Sequence, residues 1–396
     1  MSILTFLIEY KWTILFYLVI ILLVYINKRK FDIEGKIVAL YRTKVGLRFI
    51  DRFVKGKEEL IKILGLCGIG IGYIGMLAVF YLMFRLLLEA LKQPAVFTVS
   101  PVLPGVPIAG IGIKFPLVIG WISLLVIIVI HEFSHGIVAK AFKQKIKSSG
   151  VAFIGPILGA FVEIDEKKLQ KQPDHVQYSV FAAGPNSNII TSLIFMLLLG
   201  LLVAPAITAM EVNAGVKIDV HDTLPADLSG LKSDDVIVKI NNQSTQSVED
   251  FLALGNTVPD ETYIFHTKDG RAVEVVSRPH PENASLGQFG IDLYQETALK
   301  NPSGINTAWH AVLLWIRELL FWLFLIGLNI GLINFLPIFI TDGARMLQIS
   351  LNRMIKDQEK AKKTWLFINR LGLLIIILLF LIPIIMRIFE GLSSLA

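Results

Sequence analysis

Two histidines and a glutamate stand in the run IVIHEFSHGIVAK, residues 128–140. His131 and His135 are four apart, so on an α-helix they share one face, one turn above the other. Two imidazoles at that spacing can share one metal ion. Glu132, one step round the helix, can reach a water held there and take its proton. This is the His-Glu-x-x-His pattern of zinc hydrolases, with the glutamate as general base. The residues before it read PLVIGWISLLVIIVI. In such an apolar helix, uncompensated His and Glu cost on the order of a few kcal/mol. A metal accounts for that cost; a polar patch for helix packing is the alternative.

Zinc needs a third protein ligand and an open position. His175 falls at the start of the next apolar run, and His221, His266, His280 and His310 fall in or beside a polar stretch. Asp269 precedes Gly270 in a hairpin-turn pair, which already explains it. Asp342 remains, in NIGLINFLPIFITDGARML. Pro337 breaks the helix before it, and Gly343 lets the backbone turn towards a metal. Capping the helix GARMLQISL is the other role open to Asp342.

These residues must be held by elements that live in a bilayer. The chain has 396 residues, 54% of them hydrophobic, and a mean hydropathy of +0.65. Several runs reach the ~20 apolar residues that span a membrane. Six spans are expected, near 12–27, 64–86, 117–141, 177–204, 319–337 and 366–388. Connections 28–62, 140–175 and 338–364 carry eleven, seven and six Lys and Arg, whereas 85–116 carries three. The positive-inside rule then puts the basic loops in the cytoplasm and both termini outside. The net charge of +6 sits in those loops, so no nucleic-acid partner is expected. The N-terminal run reads as a retained span, not a signal peptide. Cys67, alone in an apolar helix, has no disulfide partner and reads as packing.

Residues 206–300 are polar. SDDVIVKINNQ alternates like a half-buried strand, Ser247 and Asp250 form a capping box, and TYIFHTKDGRAVEVVS reads as two strands about Asp269-Gly270. The stretch LPADLSGLKSDDVIVKINNQ resembles the PDZ family, with Asp234 where that family usually has Gly. Asp tolerates a left-handed turn better than most residues. Such domains bind extended peptides by strand addition; binding a peptide and blocking access to the membrane site both stay open. Residues 304–319 are expected to form an interfacial amphipathic helix, with the outer turns of a long fifth span as the alternative.

His-Glu-x-x-His in one span, Asn334-x-x-Pro337 followed by Asp342-Gly343 at a later span, and a PDZ-like insert between them resemble the site-2 protease family. Those are intramembrane zinc metalloproteases that cleave transmembrane substrates. The resemblance runs from about Pro104 to Ile349. It implies one zinc ion on His131, His135 and Asp342, with Glu132 as the catalytic glutamate. FAAGPNSNII matches the family's Gly-Pro-x-x-Asn through Gly184, Pro185 and Asn188. Asn188 is then offered for binding the substrate carbonyl or oxyanion, with support of a metal ligand as the rival role. The family usually has Leu before Asp-Gly; here it is Thr341.

Within this frame VAFIGPILGAFVEIDE, residues 151–166, reads as a re-entrant β-hairpin lining the site, turned by Gly155-Pro156. An edge strand carrying Phe161 and Val162 could hold substrate in extended form. An ordinary cytoplasmic hairpin is the alternative. The expected fold is a polytopic α-helical membrane protein of about six spans, with a re-entrant β-hairpin and an inserted α+β PDZ-like domain. Its parts are 1–103, two spans and a basic loop; 104–205, the first part of the protease core; 206–300, the PDZ-like domain; 301–350, the amphipathic segment and third core span; and 351–396, a loop and last span. The expected partners are transmembrane protein or peptide substrates and the lipid bilayer, with a peptide ligand for the insert. A zinc protease of the prenylated-protein type, and an inactive scaffold acting through its PDZ-like domain, are the competing readings.

Overall fold

A computed structural model describes residues 8–34, 38–92, 102–108, 113–155, 157–253 and 257–393. Helix α1 is Lys11–Ile26, α2 Leu47–Val54, α3 Glu58–Lys92, α4 Leu117–Ala141 and α5 Asp174–Leu198. A π-helical turn, Leu199–Val203, carries α5 on into the helix Ala204–Met210. Later come α6, Gly304–Phe335, α7, Asp342–Met354, and α8, Gln358–Ser393. Five of these helices are long and apolar enough to cross a membrane. Helix α1 is apolar but has 16 residues, about 24 Å at the usual rise, short of the other five. Residues 304–319, expected as a separate interfacial helix, run unbroken into the fifth span as α6. Cys67, expected to be packed, has an exposed side chain on α3.

The chain divides into two compact units, Met1–Leu199 with Glu318–Ala396, and Gly200–Arg317. In the first, small residues bring helices close. A side chain at Gly327 or Gly331 of α6 would meet Ser192 or Ile189 of α5, so these positions let the two backbones approach. Ile50, Val138, Val162 and Val180 share one buried cluster that joins α2, α4, the hairpin and α5.

The hairpin is longer than expected. Its strands are β3, Ile146–Ile154, and β4, Ile157–Ile164. Gly155 turns it with φ of +59°; Pro156 lies outside the described residues. The hairpin is also half of a larger sheet. Strands β1, Asp32–Glu34, and β2, Val38–Thr43, add to it in the antiparallel order β1-β2-β3-β4. Residues 28–62, expected to be a basic loop, thus supply two strands. The run VALYRT carries β-branched and aromatic residues suited to a strand.

In the second unit, β5 (Glu211–Val220), β6 (Val236–Ile240), β7 (Gln243–Ser244), β8 (Thr262–Thr267), β9 (Ala272–Val276) and β12 (Ile291–Leu299) form one sheet. Its order is β12-β5-β6-β8-β9, with β7 on β6. Strands β10, Arg278–His280, and β11, Asn283–Gln288, pair separately. The expected strands and the Asp269-Gly270 hairpin are present. The capping box of Ser247 and Asp250 opens the short helix Val248–Leu252. Asp234 has φ of +72°, the left-handed turn expected of it.

Candidate metal and catalytic site

The middle of α4 carries His131 and His135 on one face, both 8% exposed. Their Nε2 atoms are 3.2 Å apart. Their Nδ1 atoms are each engaged from α5. The Val180 carbonyl lies 2.6 Å from His135 Nδ1, and the Asn188 amide 3.1 Å from His131 Nδ1. The Val180 carbonyl can only accept, so His135 carries its proton on Nδ1 and Nε2 is the atom that ring can offer a ligand. The nearby Ser134 hydroxyl donates back to the Ile130 carbonyl at 2.7 Å, so its hydrogen bond is spent within the helix.

Asp342 arrives from the far end of the sequence. After Phe335 the chain leaves α6, and α7 begins at Asp342 with Thr341 as its N-cap. The Thr341 hydroxyl accepts from the Ala344 and Ile338 N–H groups, each at 3.3 Å, and lies against the Leu336 and Ile338 carbonyls. It therefore knots the 336–341 turn. The capping role left open for Asp342 falls to Thr341, and the carboxylate is free to face the histidines. Gly343 is pressed onto the Phe335 carbonyl, where no side chain fits.

Asp342 Oδ2 stands 3.2 Å from His131 Nε2 and 3.3 Å from His135 Nε2. Three donor atoms thus form a nearly equilateral triangle. Tetrahedral zinc with N and O ligands at ~2.0–2.1 Å separates its ligand atoms by about 3.3 Å, so the donor set and its spacing fit that ion. Gly184 of α5 backs the triangle. A Cβ there would fall against His135 Nε2 and 2.7 Å from His131 Nε2.

Glu132 points to the hairpin, where its Oε2 accepts the Val162 N–H at 3.2 Å. A cleft of about 860 Å3 opens over this group, lined by His131, Glu132, His135, Phe161, Asn334 and Asp342 among others. Of the residues singled out in the sequence, Phe161 and Val162 also line the cleft. Asn334 reaches its wall, with its amide donating to the Ile330 carbonyl at 2.9 Å. Asn188 and Pro185 are buried in α5, and Asn188 touches His131 from behind. Gly155 sits at the hairpin turn and does not line the cleft. His175 packs its ring on Phe142 and takes no part in the triangle. Two features were missed. The Val180 carbonyl is a backbone group and leaves no mark in sequence. Arg42 of β2 lines the cleft and bonds Asp32 and Glu163; the strand pattern of VALYRT was its only signal.

Membrane-crossing helices that bury a His-His-Asp triangle beside a glutamate define a class of membrane-bound metallohydrolase sites. Residues 119–379 match the family model of Peptidase family M50, and the chain belongs to that family, the site-2 proteases, as a multi-pass membrane protein. Uncharacterized protein MJ0971 of Methanocaldococcus jannaschii is 27% identical over 351 residues, 85% of this chain and 82% of its own. Zinc metalloprotease RasP of Oceanobacillus iheyensis is 21% identical over 305 residues, 63% of this chain and 70% of its own.

Proposed function

We propose that this protein is a zinc-dependent intramembrane endopeptidase that cleaves transmembrane protein substrates. The observation that carries the reading is the triangle of His131, His135 and Asp342 with Glu132 beside it, in a cleft among membrane-crossing helices. Those three side chains would hold the zinc, which supplies a Lewis acid and lowers the pKa of water when bound. Glu132 takes the proton from the attacking water at its carboxylate. It then delivers that proton to the leaving amine. His131 and His135 keep their rings fixed through Asn188 and Val180. The β4 edge presents the peptide in extended form, because a helical peptide bond is closed to attack.

The basic connections argue for termini and the 206–300 unit outside, with the site towards the cytoplasmic side. A PDZ-like role for that unit, with an extended peptide as ligand, draws support from two features. Strand β12 ends its sheet, and a groove of about 490 Å3 lies beside it, lined by Phe251, Leu252, Phe289 and Leu293. Cysteine placed at residue 243, in a Cys67-free background, is expected to react with an impermeant reagent in intact cells, and cysteine at 357 is not. The reverse pattern would invert the topology.

The test of the chemistry is a pair of variants. Glu132→Gln is expected to keep zinc and lose cleavage of a model transmembrane peptide. Asp342→Ala is expected to lose zinc itself. Cleavage at the wild-type rate by Glu132→Gln would remove the general base from this scheme, and full zinc occupancy in Asp342→Ala would remove the third ligand.

A further inference from the structure

Strand β4 is the last strand of its sheet, and among the described residues no strand pairs with its outer edge. The β3–β4 register runs unbroken from Ser148–Glu163 to Ile154–Ile157. In such a ladder successive N–H groups alternate between the neighbouring strand and the opposite edge. The Val162 N–H goes to Glu132, so it points to the outer edge. The N–H groups of Ala160 and Leu158 share that edge, and that of Phe161 turns inward to β3. An extended segment laid along β4 would therefore meet Leu158, Ala160 and Val162 in turn. At Val162 it meets an obstacle. Paired strands stand ~4.8 Å apart, whereas the Glu132 carboxylate is already 3.2 Å from the Val162 nitrogen. Both cannot occupy that edge.

We propose that Glu132 and the substrate backbone compete for the Val162 N–H. Without substrate, the amide holds the carboxylate against the hairpin. When an extended segment pairs along β4, one of its carbonyls takes the Val162 N–H, and Glu132 swings free beside the His131–His135–Asp342 triangle. The general base is thus released by the same contact that sets the register of the peptide. Segments that stay helical cannot make that contact and leave Glu132 docked. This rests on the protease reading above and adds a selection step to it.

The test is binding, measured on inactive full-length variants in detergent micelles at equal zinc content. The probe is a fluorescent poly-leucine transmembrane peptide with a Gly-Ser break, compared with an unbroken one. Glu132→Gln keeps an acceptor for the Val162 N–H; Glu132→Ala removes it. The Ala variant should bind the broken peptide about three- to tenfold more tightly, the worth of one freed hydrogen bond. The unbroken peptide should show no difference. Adding Val162→Pro, which deletes the N–H, should erase the gain. Equal affinities, an equal gain on the unbroken peptide, or no binding to either variant would overturn the proposal. Cleavage by wild-type protein separates the two readings. If it cleaves the broken peptide while the variants bind equally, only the competition fails. If it cleaves nothing while the variants differ, the competition stands and the protease reading falls.

Discussion

The Asn188 amide meets His131 Nδ1 at 3.1 Å, from the same helix whose Val180 carbonyl meets His135 Nδ1 at 2.6 Å. The two rings are thus gripped alike, one by a side chain and one by the backbone. A ring that offers Nε2 to a metal carries its proton on Nδ1 and needs an acceptor there. The Asn188 Oδ1 atom is buried and has no partner among the described residues. The amide oxygen and nitrogen are alike in shape, and turning the amide over gives that oxygen to the His131 N–H.

Asn188→Leu should therefore weaken zinc binding about 10- to 100-fold, while Asn188→Asp, which keeps an acceptor, should retain most of it. Competition with a chelating dye on the folded protein reads this directly. Wild-type zinc affinity in the Leu variant would show that Asn188 does not orient His131.

At Gly184 the expected effect is steric. The added methyl of Gly184→Ala falls against both Nε2 atoms, where a metal would have to sit. Zinc content should fall at least about tenfold, while helix propensity at this site rises by up to ~1 kcal/mol. Metal analysis together with thermal unfolding of the zinc-free protein separates these effects. A variant that binds zinc normally would mean that α5 shifts away from α4.

Thr341→Val removes the hydroxyl that caps α7 and knots the 336–341 turn. The loss should be about 1 kcal/mol of stability, with weaker zinc binding because Asp342 loses its fixed approach. Thr341→Ser should restore both in denaturation and zinc titrations. If the Val variant matches wild type in each, the turn is held by other contacts.

Acid should loosen the β8–β9 hairpin in a predictable window. The Thr267 hydroxyl first, and then the Arg271 guanidinium at 2.7 Å, pull the Asp269 pKa down to about 2. A group whose folded pKa lies below its unfolded value of 3.8 lends stability above that value and loses it as pH falls towards 2. Amide exchange in 262–276, corrected for intrinsic rates, should rise over this range in wild type and change less in Asp269→Asn. Equal profiles would mean that Asp269 does not set the acid response.

Five of the six expected spans and the grouping of His131, His135 and Asp342 were legible because lipid makes them so. Charged and titratable groups are costly in hydrocarbon, so His131, Glu132 and His135 stand out against their surroundings, and Asp342 follows from the third protein ligand that a zinc ion on two histidines would need. The strands flanking Asp269 were legible from alternation and turn chemistry. The sheet built on β2 was not, because its partner β3 lies about 110 residues further on and pairing at that distance leaves no local pattern. Nor were the backbone groups of Val180 and Val162, which bond the site whatever their side chains are. The continuity of α6 was one of two readings open for 304–319, since Arg317 and Glu318 look like an interfacial boundary yet break nothing in the helix.

The pairing of β2 with β3 bears on biosynthesis. At ~5–20 residues per second, β2 leaves the ribosome on the order of ten seconds before its partner. During that wait β1 and β2 form at best a two-stranded ribbon, which is marginal in water, with one edge open to other chains. The hairpin beside Glu132 gains its full support only when this early segment is still present and unpaired as β3 emerges. The order of translation thus makes the N-terminal segment a waiting template for the working face of the protein.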